Sequence, residues 1–308
     1  MQISKKQNLS GKIMLLTATI IWGSSFFVLK NAIDSFPTFY VLGIRFALAV
    51  GLLGLIFFNR VITLNKTTVK KGVVLGVFLA AAYSLQTIGL KYSTPAKNAF
   101  LTATYCIVVP FLSWIIFRKK ANSYNIVAAA MCLVGIGLVS LTNDLRLGFG
   151  EILTIISGVF FACQLIAISR FGQHEDMIQL LMVELLFAML IFFGISFISE
   201  SQRYVIKLSF RDILPILYLS VFATALTQVL QMKGQRYTTA NEASLILCLE
   251  AVFGTLFSII FYKEVMTLRL YIGFAIIFVA LVISETKLEF LTKGIEKLKI
   301  KRQNNKRR

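Results

Sequence analysis

Apolar residues run along this chain in blocks and do not alternate with polar ones. Ten stretches with almost no charge can be marked, at roughly 13–29, 40–58, 72–90, 99–117, 126–141, 152–169, 178–198, 213–232, 244–262 and 270–284. Each approaches the ~20 residues that an α-helix needs to cross the hydrocarbon of a bilayer. Unbroken blocks point to helices, because lipid offers no hydrogen bonds and a helix satisfies its backbone within one segment; a membrane barrel would show alternation instead. The pattern therefore predicts an all-α membrane protein of ten transmembrane helices. Met1 to Ile21 carries the lysines and apolar core of a signal peptide, but no small-residue cleavage site closes it, so it is read as part of the first span.

Composition agrees with this class. Hydrophobic residues make up 57% of the 308, charged residues 15%, and mean hydropathy is +0.78, more apolar surface than a soluble chain of this size covers. The net charge of +18 would suit nucleic acid, but its placement argues against that. Lys5, Lys6, Lys12, Arg60, Lys66, Lys70, Lys71, Arg118, Lys119, Lys120 and the basic tail all fall at alternate ends of the spans, and the opposite ends carry fewer cations. The positive-inside rule then predicts both termini in the cytoplasm, with the protein in the cell membrane.

The chain also repeats itself. Residues 83–119 return at 228–264 without a gap: Tyr83 faces Gln228, Gln86 faces Gln231, Gly89 faces Gly234, Tyr92 faces Tyr237, Thr94 faces Thr239 and Tyr105 faces Glu250. Five spans per half is an odd number, so the second half enters the membrane inverted. The boundaries read as a cytoplasmic N-terminus over 1–12, a first five-helix repeat over 13–144, a second over 150–284 and a basic tail over 285–308. Inverted repeats bind solute at their interface near the bilayer midplane and open it alternately to either side.

Cys106, Cys132, Cys163 and Cys248 lie inside spans without a close pair, and His174 is a lone loop histidine, so neither a disulfide framework nor a metal site is indicated. No cofactor is expected. An intramembrane enzyme would need a nucleophile with its base, or a metal cluster, and a channel a charged or carbonyl-lined filter; the sequence offers neither, so both stand as alternatives behind a non-enzymatic transporter.

Three segments carry a family resemblance. They are Trp22-Gly-Ser-Ser-Phe26, LQTIGLKYSTPAKNAFLTATYCIVVPFLSW from Leu85, and LQMKGQRYTTANEASLILCLEAVFGTLFSIIFYKE from Leu230. Together they resemble the EamA-type branch of the drug/metabolite transporter superfamily, whose members have ten helices as two inverted five-helix repeats. The resemblance implies a secondary transporter of amino acids, drugs or other metabolites, working as an exporter. One departure stands out: Ala251 follows Glu250 where the family commonly has proline, which removes the usual reason for a helix break there.

Polar side chains within lipid are costly and mark a pathway. Tyr83 with Gln86, and Gln228 with Gln231, are each three residues apart and share a helix face, suited to a small polar or zwitterionic solute. Trp22 and Ser24, with Gln164 as the repeat counterpart of Ser24, add an aromatic and a polar wall. Tyr105 and Glu250 complete the candidate solute-binding set. Glu250 and Glu184 are the candidates for proton coupling. Arg45 is expected to snorkel toward the outer surface. Gly43, Ala47 and Gly51, and Gly72 with Gly76, are spaced for helix contacts. Leu288, Leu291, Ile295 and Leu298 give the tail an apolar face among its cations, which predicts a helix lying on anionic lipid.

Overall fold

A computed structural model describes residues 4–117, 123–140, 148–200 and 210–286. The basic tail beyond 286 lies outside these, as do residues 1–3, 118–122, 141–147 and 201–209. Every described element is helical. The first repeat comprises α1 (Lys5–Ser35), α2 (Thr38–Ile56), α3 (Lys66–Lys91), α4 in two pieces (Pro95–Thr102 and Tyr105–Phe117) and α5 (Ser123–Ser140). The second comprises α6 (Phe149–Phe171), α7 (Met177–Ser199), α8 in three pieces (Phe210–Leu217, Tyr218–Leu226 and Thr227–Arg236), α9 in three pieces (Ala240–Cys248, Glu250–Phe257 and Ser258–Tyr262) and α10 (Leu268–Thr286). Among the described residues eight spans are long and apolar enough to cross a membrane, and α5 and α10 contain shorter apolar cores, Ile126–Val139 and Leu268–Ala280.

Helix starts follow local chemistry. Ser4 Oγ accepts from Gln7 N at 3.2 Å while Gln7 Oε1 accepts from Ser4 N, a capping box that opens α1. Thr94 caps α4, with Pro95 in the first turn, and its repeat counterpart Thr239 caps α9 in a second box with Glu242.

Both repeats also break at one shared place. In α4 the helix is interrupted at Ala103 and Thr104, and in α9 at Leu249, between Ala240–Cys248 and Glu250–Phe257. The break at Leu249 therefore forms although Ala251 replaces the proline. It is made by turn bonding, Leu249 N donating to Ile246 O three residues back, and does not need a missing N–H. Two further segments are wound more widely, with π-helical turns: Tyr218–Leu226, between Phe210–Leu217 and Thr227–Arg236 of α8, and Ser258–Tyr262 at the end of α9.

The two halves interlock. α1 packs on α8 and α9, and its counterpart α6 packs on α3 and α4; α3 lies on α7 as α8 lies on α2; α2–α7, α4–α9 and α5–α10 pair with each other. Each contact thus has its mirror under a pseudo-twofold axis. Close crossings are made by glycine. Gly11 meets Gly234 where α1 crosses α8, and Gly89 meets Gly150 where α3 crosses α6. Gly43, Gly72 and Gly76 lie against Phe193, Val183 and Phe187 as their spacing suggests, but Gly51 faces open space and supports no contact.

Polar contacts between helix ends sort into two groups. Arg60 pairs with Asp176 at 2.7 Å, Lys71 with Glu175 at 2.6 Å and Lys12 with Glu242 at 3.0 Å, all at the end where α1, α3, α7 and α9 begin. Lys97 pairs with Glu151, Glu264 accepts from Ala96 N, and Glu200 accepts from Phe39 N and Tyr40 N at the end where α2, α4 and α6 begin. α1 and α6 therefore start on opposite sides, which is the inversion. The Lys71 ammonium and the Thr68 hydroxyl hold the Glu175 carboxyl below the usual carboxylate range.

Candidate functional site

The inner faces of seven helices, α1 to α4, α6, α8 and α9, enclose a central cavity of about 600 Å³ including its mouth. Because residues three apart share a face, α3 presents Tyr83 and Gln86 together, and α8 presents Gln228 and Gln231. The breaks in α4 and α9 place Tyr105 and Glu250 as the first residues of the following half-helices, both in the cavity. The positive end of the short helix Glu250–Phe257 favours negative charge at Glu250. α1 adds Trp22, Ser25 and Phe26, and α6 adds Phe161 and Gln164.

Aromatic rings form a continuous wall. Phe46 meets Tyr83 edge-on at 5.3 Å between centroids, Tyr83 meets Phe161 at 5.5 Å, and Phe161 meets Tyr105 at 6.4 Å. The amides differ in how they are held. Gln86 Nε2 donates to Thr102 Oγ1 at 3.1 Å, and the Gln86 backbone carbonyl accepts from Asn98 Nδ2 at 3.2 Å. Gln228 makes no well-formed hydrogen bond through either amide atom, and Gln231 Oε1 has none, although both residues are buried. Buried amides without partners are costly, and a solute or ordered water in the cavity would satisfy them.

Eight of the nine expected solute-binding residues line this space. Ser24 does not: its hydroxyl lies 2.5 Å from the Tyr218 hydroxyl on α8, and the next residue, Ser25, takes the place in the lining. One residue of helix is 100° of rotation, so an error of one position points a side chain at a different neighbour. Glu184 is completely buried on α7, outside the lining, and its Oε1 accepts from Gln164 Nε2 at 2.7 Å. It stands behind the cavity wall, reached through Gln164.

Arg45 overturns its expectation. It does not snorkel; it is 1% exposed and lines the cavity. Its Nε donates to Thr224 Oγ1, its Nη2 donates to the Ala223 carbonyl at 2.7 Å, and the guanidinium lies 5.1 Å above the Tyr83 ring. The reason is in α8. Its π-helical stretch offers the Ala223 carbonyl sideways, where it also accepts from Trp22 Nε1 at 3.0 Å, while Thr224 Oγ1 donates to Leu219 O five residues back. The depth of Arg45 in its span was readable, but not the inward side of α2. The signal that could have found it is its cost in lipid.

The chain matches the EamA-like transporter family over residues 9–141 and again over 148–286. An uncharacterized transporter of Archaeoglobus fulgidus is 29% identical over 269 residues, covering 87% of this chain and 83% of that protein. The uncharacterized transporter YoaV of Bacillus subtilis is 22% identical over 271 residues, 85% of this chain and 92% of its own. A solved crystal structure superposes with a TM-score of 0.67 at 15% identity, over 91% of this chain and 99% of that one, and so shares the fold. Matched twice along its length by the family whose helices it resembles, this membrane protein belongs to the EamA-like transporter family.

Proposed function

We propose that the central cavity binds a small polar or zwitterionic organic solute, and that the interlocked halves open it alternately to the two sides of the cell membrane to move the solute outward. The single observation that carries this reading is that side chains equivalent under the repeat, Gln86 with Gln231 and Tyr105 with Glu250, line one cavity, some of them with unpartnered amide atoms. An inverted pair of halves with a shared central site is the arrangement by which secondary transporters alternate access. Both termini are placed in the cytoplasm on the distribution of Lys and Arg, and net export rests on the range of transport in the family. Glu250 is the proposed proton carrier, since it is the carboxylate of the lining, and Glu184 is a second carboxyl behind it. The proposed role is transport and not catalysis, on the strength of the family.

The test is transport by the purified protein in liposomes against a panel of amino acids and organic dyes, with and without a pH gradient. Gln231→Ala is the informative variant, because Gln231 Oε1 bonds nothing whereas Gln86 holds Thr102 and would take some stability with it. Gln231→Ala should lose transport of a panel solute while keeping its thermal midpoint. Full transport by Gln231→Ala, or loss of its midpoint with insertion, would make the amide a contact between helices and remove the cavity from the mechanism.

A further inference from the structure

Charge within the membrane is nearly always paired, because an isolated ion there is costly. The five ion pairs among the described residues lie toward helix ends, four between helices and Lys30–Asp34 within α1, and none includes Arg45. The partners of Arg45 are the Thr224 hydroxyl, the Ala223 carbonyl and Tyr83, all neutral groups. A guanidinium carries five N–H donors in a flat fork that suits the two oxygens of a carboxylate. Here it is fixed by a widened turn of α8, is nearly inaccessible from outside and borders an enclosed space.

We infer that Arg45 is the anion-binding group of the cavity and that the transported solute bears a carboxylate. This rests on the solute-binding reading given above. The sign and number of charges narrow the solute further. Among the described lining residues Arg45 is the one cation and Glu250 the one carboxylate, so the lining carries +1 when Glu250 is protonated and zero when it is ionised; a single negative charge is the most it balances, which favours a monocarboxylate over a phosphate ester or a dicarboxylate. The Tyr83 and Phe161 rings, in edge-on contact with centroids 5.5 Å apart, form one apolar wall of the cavity and suit an apolar body on that carboxylate.

The test uses the purified full-length protein. Thermal midpoints are measured with acetate, 4-methylpentanoate, benzoate and leucine, each beside its own primary amide, for the wild type, Arg45→Gln and Arg45→Lys. At least one acid should raise the wild-type midpoint by about 2 °C or more at roughly ten times its dissociation constant, with its amide inactive. In Arg45→Gln that response should vanish while the ligand-free midpoint stays level or rises, because a buried charge without a counter-ion has been removed. Should Arg45→Gln fail to insert, Arg45→Lys decides: it keeps the charge and loses the fork, so at least a tenfold weaker response to the acids is expected. Absence of any response to acids in the wild type, or an undiminished response in the variant that inserts, overturns the inference. Neither result touches transport that depends on Gln231, so the two readings fail separately.

Discussion

Alanine at two glycines separates close helix crossing from simple helix preference. A methyl at Gly89 would stand 2.7 Å from the Gly150 carbonyl oxygen and 3.2 Å from Thr154 N, whereas at Gly51 it would meet nothing within 4 Å. Carbon and oxygen in contact sit at about 3.3–3.6 Å, so Gly89→Ala must push α3 and α6 apart by roughly half an ångström or more. The nearest atom is the Thr154 hydroxyl, itself bonded to the Gly150 carbonyl, and beside it stands backbone, which cannot turn aside. Both variants gain about 1 kcal/mol from replacing glycine in a helix, so this gain cancels between them. What is left is the cost of overpacking, and Gly89→Ala should be less stable than Gly51→Ala by about 1–3 kcal/mol. Gly234→Ala should fall between, since the nearest atom to its methyl is Leu15 Cγ at 2.7 Å, part of a side chain that can yield. Reversible unfolding in mixed micelles, titrated with sodium dodecyl sulfate, would give the order. Equal stability of Gly89→Ala and Gly51→Ala would refute the reasoning, and with it the tight crossing of the halves.

Cysteine placed at Asn65 in intact cells should resist an impermeant thiol reagent while cysteine at Lys91 reacts; the reverse pattern would invert the proposed orientation. Glu250→Gln should abolish transport driven by a pH gradient but leave solute exchange intact, and full gradient-driven transport by this variant would remove Glu250 as proton carrier. Glu175 titrates below the usual carboxylate range because of Lys71 and Thr68, so its contribution to stability is present above the ordinary glutamate value and is lost as pH falls through the lowered one. The wild-type midpoint should therefore drop on acidification below about pH 4.5 more than that of Glu175→Gln, and parallel curves would remove this pair from the acid response.

Much of the fold was legible because lipid leaves a chain little choice. A block of about twenty apolar residues must be a helix, and the matched residues from Tyr83 to Glu264 revealed the repeat and hence the inversion. The cavity was legible for the same reason, since Gln86, Gln231, Tyr105 and Glu250 are the polar positions that the repeat superposes. What hydropathy does not carry is direction around a helix axis. Arg45 and Ser24 were misplaced because their neighbours, Ala223 with Thr224 and Tyr218, depend on a π-helical stretch that adds rotation within α8 and has no compositional mark. The break at Leu249 was hidden likewise, since it is made by turn bonding and not by proline.

The interlocking of the halves also sets an order of events during synthesis. α1 is complete at Ser35, yet its partners in α8 and α9 begin at Thr227 and Ala240, on the order of ten to forty seconds later at ribosomal speed. α1 is equipped to wait: Thr17, Thr19, Ser24 and Ser25 all bond carbonyls of their own helix, so lipid meets no orphaned hydroxyl. α2 is not, because Arg45 receives its carbonyl and hydroxyl only when α8 arrives. The nascent α2 must ride high, with its guanidinium held among the lipid headgroups, and settle to its final depth when α8 enters. The first two helices made thus complete their packing only when the second half of the chain arrives.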